Sequence, residues 1–202
     1  MRGPVDRLTE GLPRHWRIAI DWVVTIVGAI AIVLAIKAFV INPYRIPSSS
    51  MEPTLHCARG QVDCEARWSD RVLANRFIYH FKDPARRDIV VFHTPQRAQE
   101  QCGAGGTFVK RIVGLPGEVV RVLESGVVQI DGERLDESDY IERDRLEGQT
   151  PGRWEVPEGH VFVMGDNRSQ SCDSRVWGAL DKDDLIGKVF AVYWPPGRVG
   201  LR

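Results

Sequence analysis

The 202-residue chain carries 27 Lys and Arg against 27 Asp and Glu, with no basic block interleaved with aromatics. A summed charge of zero offers no field to gather a polyanion, which excludes nucleic acid as the expected partner. The length allows one compact domain, or one domain with an appendage, and suffices to bury a core.

The first predicted element is "IAIDWVVTIVGAIAIVLAIKAFVI", residues 18–41, where only Asp21 and Lys37 are charged. A bilayer span needs about 20 residues, so the run predicts a transmembrane helix. Asp21 falls near one interface, and Lys37 is close enough to the other to snorkel. A buried helix of a soluble protein is one rival reading. A cleaved signal peptide is another, because Ala29-Ile30-Ala31 spells an A-x-A. That triplet lies mid-run rather than at a polar edge, and a signal h-region spans only about 7 to 15 residues, which favours an uncleaved anchor. Arg2, Arg7, Arg14 and Arg17 precede the run, whereas Arg45 and Arg59 are the first basic residues after it. The positive-inside bias therefore predicts a cytoplasmic segment (1–17), a single-pass anchor in the plasma membrane (18–41) and an extracytoplasmic domain (42–202).

Outside the cytoplasm the four cysteines, Cys57, Cys64, Cys102 and Cys172, meet conditions that permit disulfides. Proximity pairs Cys57 with Cys64 and leaves Cys102 with Cys172. Zinc ligation competes, but the spacings contain no C-x2-C pair. No metal is expected.

Beyond the anchor, short valine-rich runs separated by turn signals predict strands. They are "RVLANRFIY" (71–79), "DIVVFHT" (88–94), "TFVKRIVGL" (107–115), "EVVRVLE" (118–124), "VVQID" (127–131), "HVFVMGD" (160–166) and "IGKVFAVYW" (186–194). The expected fold is an all-β catalytic domain carrying one N-terminal transmembrane helix. Residues 95–106 and 133–157 are polar and rich in Gly, Pro or acidic side chains, and are expected to be loops or an inserted lobe.

Three serines stand together in "RIPSSSMEPTL" (45–55), just past the anchor. A serine hydroxyl is a poor nucleophile until a base takes its proton, and the usual base is histidine. His15, His56, His80, His93 and His160 each read as surface or strand residues, and none is followed by an evident orienting carboxylate. The alternative base is lysine, whose pKa must fall from about 10.4 to about 8 by desolvation, a cost of roughly 3 kcal/mol. Lys37 is in the anchor, Lys82 and Lys182 lie in polar stretches, and Lys188 follows Gly187. Lys110 alone stands centrally in an apolar strand, sharing a face with Phe108 and Ile112 while Arg111 points the other way. By pattern alone an exposed lysine on a half-buried strand remains an equal reading.

The ordered blocks "IPSSSMEPTL", "DRVLANRF", "RRDIVVF", "FVKRIVGLPGE" and "GDNRSQSCDSRVWG", after one membrane span, closely resemble the bacterial type I signal peptidases. These are membrane-anchored serine proteases with a Ser-Lys dyad. The resemblance implies that Ser50 is the nucleophile and Lys110 the general base, and that Ser48 joins the Ser50 backbone N–H in an oxyanion hole. It assigns Ser171 to a hydrogen bond with the lysine and Asp173 with Arg175 to a bracing salt bridge. Ile46, Met51, Leu55, Phe108 and Val109 would line shallow substrate pockets. Ser49 departs from the glycine common there in the family, and Cys172 stands where a small residue is frequent.

The implied substrates are exported preproteins with small residues at −1 and −3, met at the lipid bilayer, and no cofactor is implied. A specialised secretion or conjugation peptidase with the same dyad differs only in substrate. A self-cleaving repressor is disfavoured by the anchor, and an inactive membrane-anchored β-sheet binding module by the presence of both Ser50 and Lys110.

Overall fold

The computed structural model describes residues 13–39, 41–60, 63–103, 105–146 and 150–202. The chain divides into two units, Met1–Ile41 and Asn42–Arg202. In the first, α1 spans Arg14–Phe39. Its Arg14–Leu34 stretch contains an 18-residue window of mean hydropathy 2.1 and is long and apolar enough to cross a membrane. Ile18, Trp22, Val23, Val24, Val27 and Ile32 all point outward and are spread over every side of the helix, so it is apolar around its circumference and suits an apolar solvent better than water. It begins earlier than the hydropathy boundary at residue 18. The Pro13 carbonyl accepts the Trp16 and Arg17 N–H groups, and a leading proline starts the first turn ahead of the apolar run. It ends at Phe39 rather than 41, where the first strand takes over.

Among the described residues, strands make up the second unit, β1 starting at its border: β1 Ile41–Arg45, β2 Arg71–Asn75, β3 Ile89–His93, β4 Thr107–Gly114, β5 Val119–Val122, β6 Val128–Ile130, β7 Glu133–Arg134, β8 Gly152–Glu155, β9 His160–Met164, β10 Leu180–Asp181, β11 Leu185–Trp194 and β12 Gly200–Leu201. The main sheet runs β1-β2-β11-β3-β4-β9-β10, with β12 on β11. A smaller sheet, β7-β6-β5-β8, is inserted in sequence between β4 and β9.

Alternation in β3 shows how the core forms. Ile89 and Val91 enter one apolar cluster with Ile46, Met51, Leu55 and Val189, while Val90 and Phe92 enter another with Ile112, Val163 and Trp177. Successive side chains leave a strand on opposite sides, so a central strand covered on both faces reads as a continuous apolar run. A third cluster of Val113, Val120, Val128, Val156 and Phe162 seats the small sheet on β4 and β9.

Three expectations are corrected or decided. The strand expected over 71–79 stops at Asn75, whose side chain accepts the Phe77 N–H and turns the chain into a 3-10 turn at Ile78–His80. The segment 95–106 holds a short helix, α2 (Gln96–Cys102), closed by Gly103 at φ 65. For residues 133–157, read as loops or an inserted lobe, the structure gives the lobe: the stretch contributes β7 and β8 to the small sheet. β8 pairs with β5 across a long sequence gap, which no local pattern announces.

The cysteines form two disulfides, Cys57–Cys64 and Cys102–Cys172, with sequence separations of 7 and 70. The second ties the end of α2 to the segment before a one-turn helix, α3 (Ser174–Trp177). On the loop-closure account, removing it as C102S/C172S costs about 4 kcal/mol, against about 2 kcal/mol for C57S/C64S. Equilibrium denaturation in detergent of the two double variants checks the order, and equal losses contradict it.

Candidate active site

The serine run leaves β1 through Ile46 and Pro47. Ser48 is extended (φ −134, ψ 159), and Ser49–Met51 form one 3-10 turn. Met51 and Leu55, 1% and 0% exposed, sink this turn into the core, and the Met51 carbonyl accepts the Leu55 N–H at 2.8 Å. Buried Glu52 accepts the Cys57 N–H at 3.1 Å and meets the His56 ring, tying the turn to the first disulfide. The hydroxyl of Ser50 thus stands on a segment anchored on both sides.

Lys110 lies mid-strand in β4, opposite Val90 of β3, and its Nζ donates to Ser50 Oγ at 2.7 Å. The residue is 4% exposed, and Nζ sits 5.2 Å from the centre of the Phe108 ring. Burial pushes its pKa down from 10.5 to about 8; Asp173 and Asp166 oppose the fall and Arg175 assists it. The exposed-lysine reading is therefore overturned by the tertiary structure. Among the described residues, Ser50 Oγ has Lys110 and Ser48 as its neighbours in hydrogen-bond range, with Ser48 Oγ at 3.4 Å.

The Gly165–Asn167 turn after β9 closes against Ser50. The Asn167 N–H donates to the Ser50 carbonyl at 3.1 Å. A Cβ on Gly165 would fall 2.4 Å from that same carbonyl oxygen and 2.3 Å from Ser171 Oγ, so only glycine permits the approach. Asp173, fully buried at the start of α3, accepts the Gly165 N–H at 2.9 Å and two Arg175 guanidinium bonds at 2.8 Å each. Burial alone would raise its carboxyl, but the bonds and charge of Arg175 more than offset this and hold it below the usual carboxylate range. Ser171 Oγ makes no hydrogen bond to Lys110; it is buried without a bonding partner among the described residues, although it lies near enough to help keep Asp173 ionised.

A groove of about 370 Å³ opens at the pair. Ile46, Met51, Phe108 and Val109 line it together with Ser48, Ser50 and Lys110, and both Cys102 and Cys172 contribute to its wall. Leu55 does not line it, being packed behind Met51 in the first apolar cluster. A larger cavity of about 630 Å³, near Glu124, Leu135 and Ile141, holds neither Ser50 nor Lys110. Among the described residues no cluster of three or more His, Cys, Asp or Glu is placed to hold a metal ion.

Sequence reasoning missed the pairing of Arg111 with Asp166, a bidentate bridge of 2.8 and 2.6 Å in which both residues are buried. An arginine within an apolar strand was the available signal, since such a charge is kept only with a partner. Nothing local named the partner.

A hydroxyl in contact with a desolvated amine, at the mouth of an apolar groove, is an arrangement suited to a serine hydrolase. The comparisons agree: the chain belongs to the family "Signal peptidase, peptidase S26", which matches residues 19–194, and it is a serine peptidase. It is 39% identical to a "Probable signal peptidase I-2" of Synechocystis, over 88% of this chain and 74% of that protein. A second Synechocystis protein, "Probable signal peptidase I-1", is 36% identical over 94% of this chain and 89% of its own length. The "Signal peptidase I" of Leptolyngbya laminosa is 37% identical over 87% and 80%.

The buried amine also carries a stability signature. The unfolded chain binds a proton at Lys110 up to pH 10.5 and the folded chain only up to about 8. Folding is therefore penalised by about 3 kcal/mol below the folded value, and the penalty vanishes as pH rises to the unfolded one. Lys110→Met removes the penalty and about 1 kcal/mol of hydrogen bonding, so it gains about 2 kcal/mol over wild type at pH 7. Denaturation in detergent across pH tests this; a variant less stable than wild type at neutral pH contradicts it.

Proposed function

We propose that this chain removes the signal peptides of exported preproteins, with Ser50 as nucleophile and Lys110 as general base. The observation that carries the reading is the 2.7 Å contact of Lys110 Nζ with Ser50 Oγ, made by an amine that burial holds near pKa 8. Neutral Lys110 takes the hydroxyl proton as Ser50 Oγ bonds to the scissile carbonyl carbon. The charge on the carbonyl oxygen is met by the Ser48 hydroxyl and the Ser50 N–H. Collapse breaks the C–N bond, and the lysine ammonium returns its proton to the departing amine. The acyl-enzyme is then hydrolysed by a water that Lys110 deprotonates. Asp173 and Arg175 brace the turn that packs on Ser50. Proton transfer and water complete the cycle, so no cofactor enters the chemistry.

The cleavage segment enters extended. β4 pairs with β3 along Thr107–Arg111 but with β9 only from Arg111 onward, which leaves the Thr107–Lys110 stretch an edge that an extended peptide can join. Alternate side chains of that peptide then face Ile46, Met51, Phe108 and Val109, with Leu55 filling the layer beneath Met51. Four apolar walls in so small a groove favour small residues at −1 and −3.

We place α1 across the plasma membrane with the N-terminus cytoplasmic and residues 42–202 outside. The reading rests on the arginines before the apolar run and on the helix length. The bilayer then holds enzyme and membrane-tethered preprotein on one surface, raising their effective concentration.

Purified protein in detergent, given a preprotein with an A-x-A site, is expected to cut once after the second small residue. Ser50→Ala and Lys110→Met fall to background while remaining folded. Because the working base is the neutral amine, kcat/KM of wild type rises about tenfold per pH unit below pH 8 and levels off above it. Cleavage by Lys110→Met, or a rate flat from pH 6 to 9, would falsify the assignment of the base.

A further inference from the structure

Two arginines hold the turn that packs on Ser50. Arg111 grips Asp166, and Arg168 Nε donates to the Gly165 carbonyl at 3.0 Å. Arg168 is 2% exposed, a depth at which a guanidinium is kept only against a carboxylate. Its carboxylate comes from elsewhere in the fold. Glu137, in the segment between β7 and β8, accepts from Arg168 Nη1 at 2.9 Å and from Nη2. Tyr140 donates its hydroxyl to Glu137 at 2.7 Å, and its ring centre lies 4.1 Å from the Arg111 guanidinium carbon. One short segment between two strands of the small sheet therefore touches both Arg111, which grips Asp166, and Arg168. The Arg168 carbonyl, in turn, accepts from Arg175 Nη2 at 2.8 Å, which joins this grip to Asp173.

We propose that Glu137, steadied by Tyr140, is a positioning residue of the reaction, setting the Gly165–Asn167 turn and the Ser50 carbonyl through Arg168. The inference rests on the Ser50 and Lys110 reading above. It gives the inserted lobe a part in catalysis, although the lobe supplies no reacting group.

The charges facing Lys110 are Asp173, Asp166 and Arg175, and Asp166 also faces Arg168. Neutralising Glu137 leaves the Arg168 cation drawing on Asp166. The field at Lys110 becomes more positive, and the amine loses its proton at lower pH. A role confined to folding produces no such displacement.

The test uses the full chain in detergent with Glu137→Gln, Glu137→Asp and Tyr140→Phe. In Glu137→Gln, kcat on the A-x-A preprotein falls about 30-fold with KM within about twofold, and the pH midpoint of kcat moves down by about half a unit. Glu137→Asp keeps the charge, retains the wild-type midpoint and loses only about fivefold in kcat. Tyr140→Phe loses about threefold with no displacement. Acetylation of Lys110 followed by mass spectrometry across pH reports the amine without turnover and is expected to move with Glu137→Gln alone. Unchanged kcat in Glu137→Gln, or a loss that tracks the unfolded fraction with the Lys110 titration in place, overturns the proposal. Should Glu137→Gln not fold, wild-type kcat in both other variants overturns it. A wild type that cuts nothing while its Lys110 titration still shifts on substitution refutes the peptidase reading and leaves the coupling of Glu137 to the lysine standing.

Discussion

Bringing the pKa of an amine down to about 8 requires taking it out of water without surrounding it with uncompensated carboxylates. Lys110 meets both conditions. It sits on β4, a strand whose neighbours on one side and apolar clusters above and below exclude solvent, and its contact is a neutral hydroxyl. The two carboxylates that would return its proton, Asp173 and Asp166, are each clamped by an arginine. Desolvation outweighs their fields at the amine, with Arg175 assisting it.

Buried charged groups also fix the position of Ser50. Asp173 holds the Gly165 N–H, Arg168 holds the Gly165 carbonyl, and the Asn167 N–H holds Ser50. Buried ion pairs are poor sources of net stability, since desolvation consumes most of their attraction, but they are unforgiving of displacement. A dense set of them around one glycine turn suits a site whose reacting atoms must stay within hydrogen-bond distance before substrate arrives. The apolar anchors Met51 and Leu55 do the complementary task from below, tying Ser50 to the core by packing.

The inserted sheet links these two tasks. Its apolar face is seated on β4 and β9, the strands that carry Lys110 and lead into the Gly165 turn. The segment Glu137–Tyr140 that follows β7 lies against Arg168 and Arg111. An insertion that looks peripheral in sequence thereby packs on the supports of the site.

Much of this protein was determined by local pattern. A long apolar run with nearly no charge must form a helix suited to a bilayer, because its backbone and side chains admit few other solutions. Valine-rich runs alternating about turns defined most strands, and a lysine in such a run was already marked as unusual. Local pattern did not determine where 71–79 would end or that α2 lay in a polar stretch, since a single asparagine and a glycine at positive φ decided those boundaries. Only the tertiary structure decided that Lys110 is buried, that Arg111 finds Asp166, that Arg168 finds Glu137, and that the Ser171 hydroxyl, which has no bonding partner among the described residues, does not reach the lysine. The physical reason is one of range. Alternation and capping act over a few residues and are written in neighbours, whereas desolvation and charge pairing depend on what the fold brings from far along the chain.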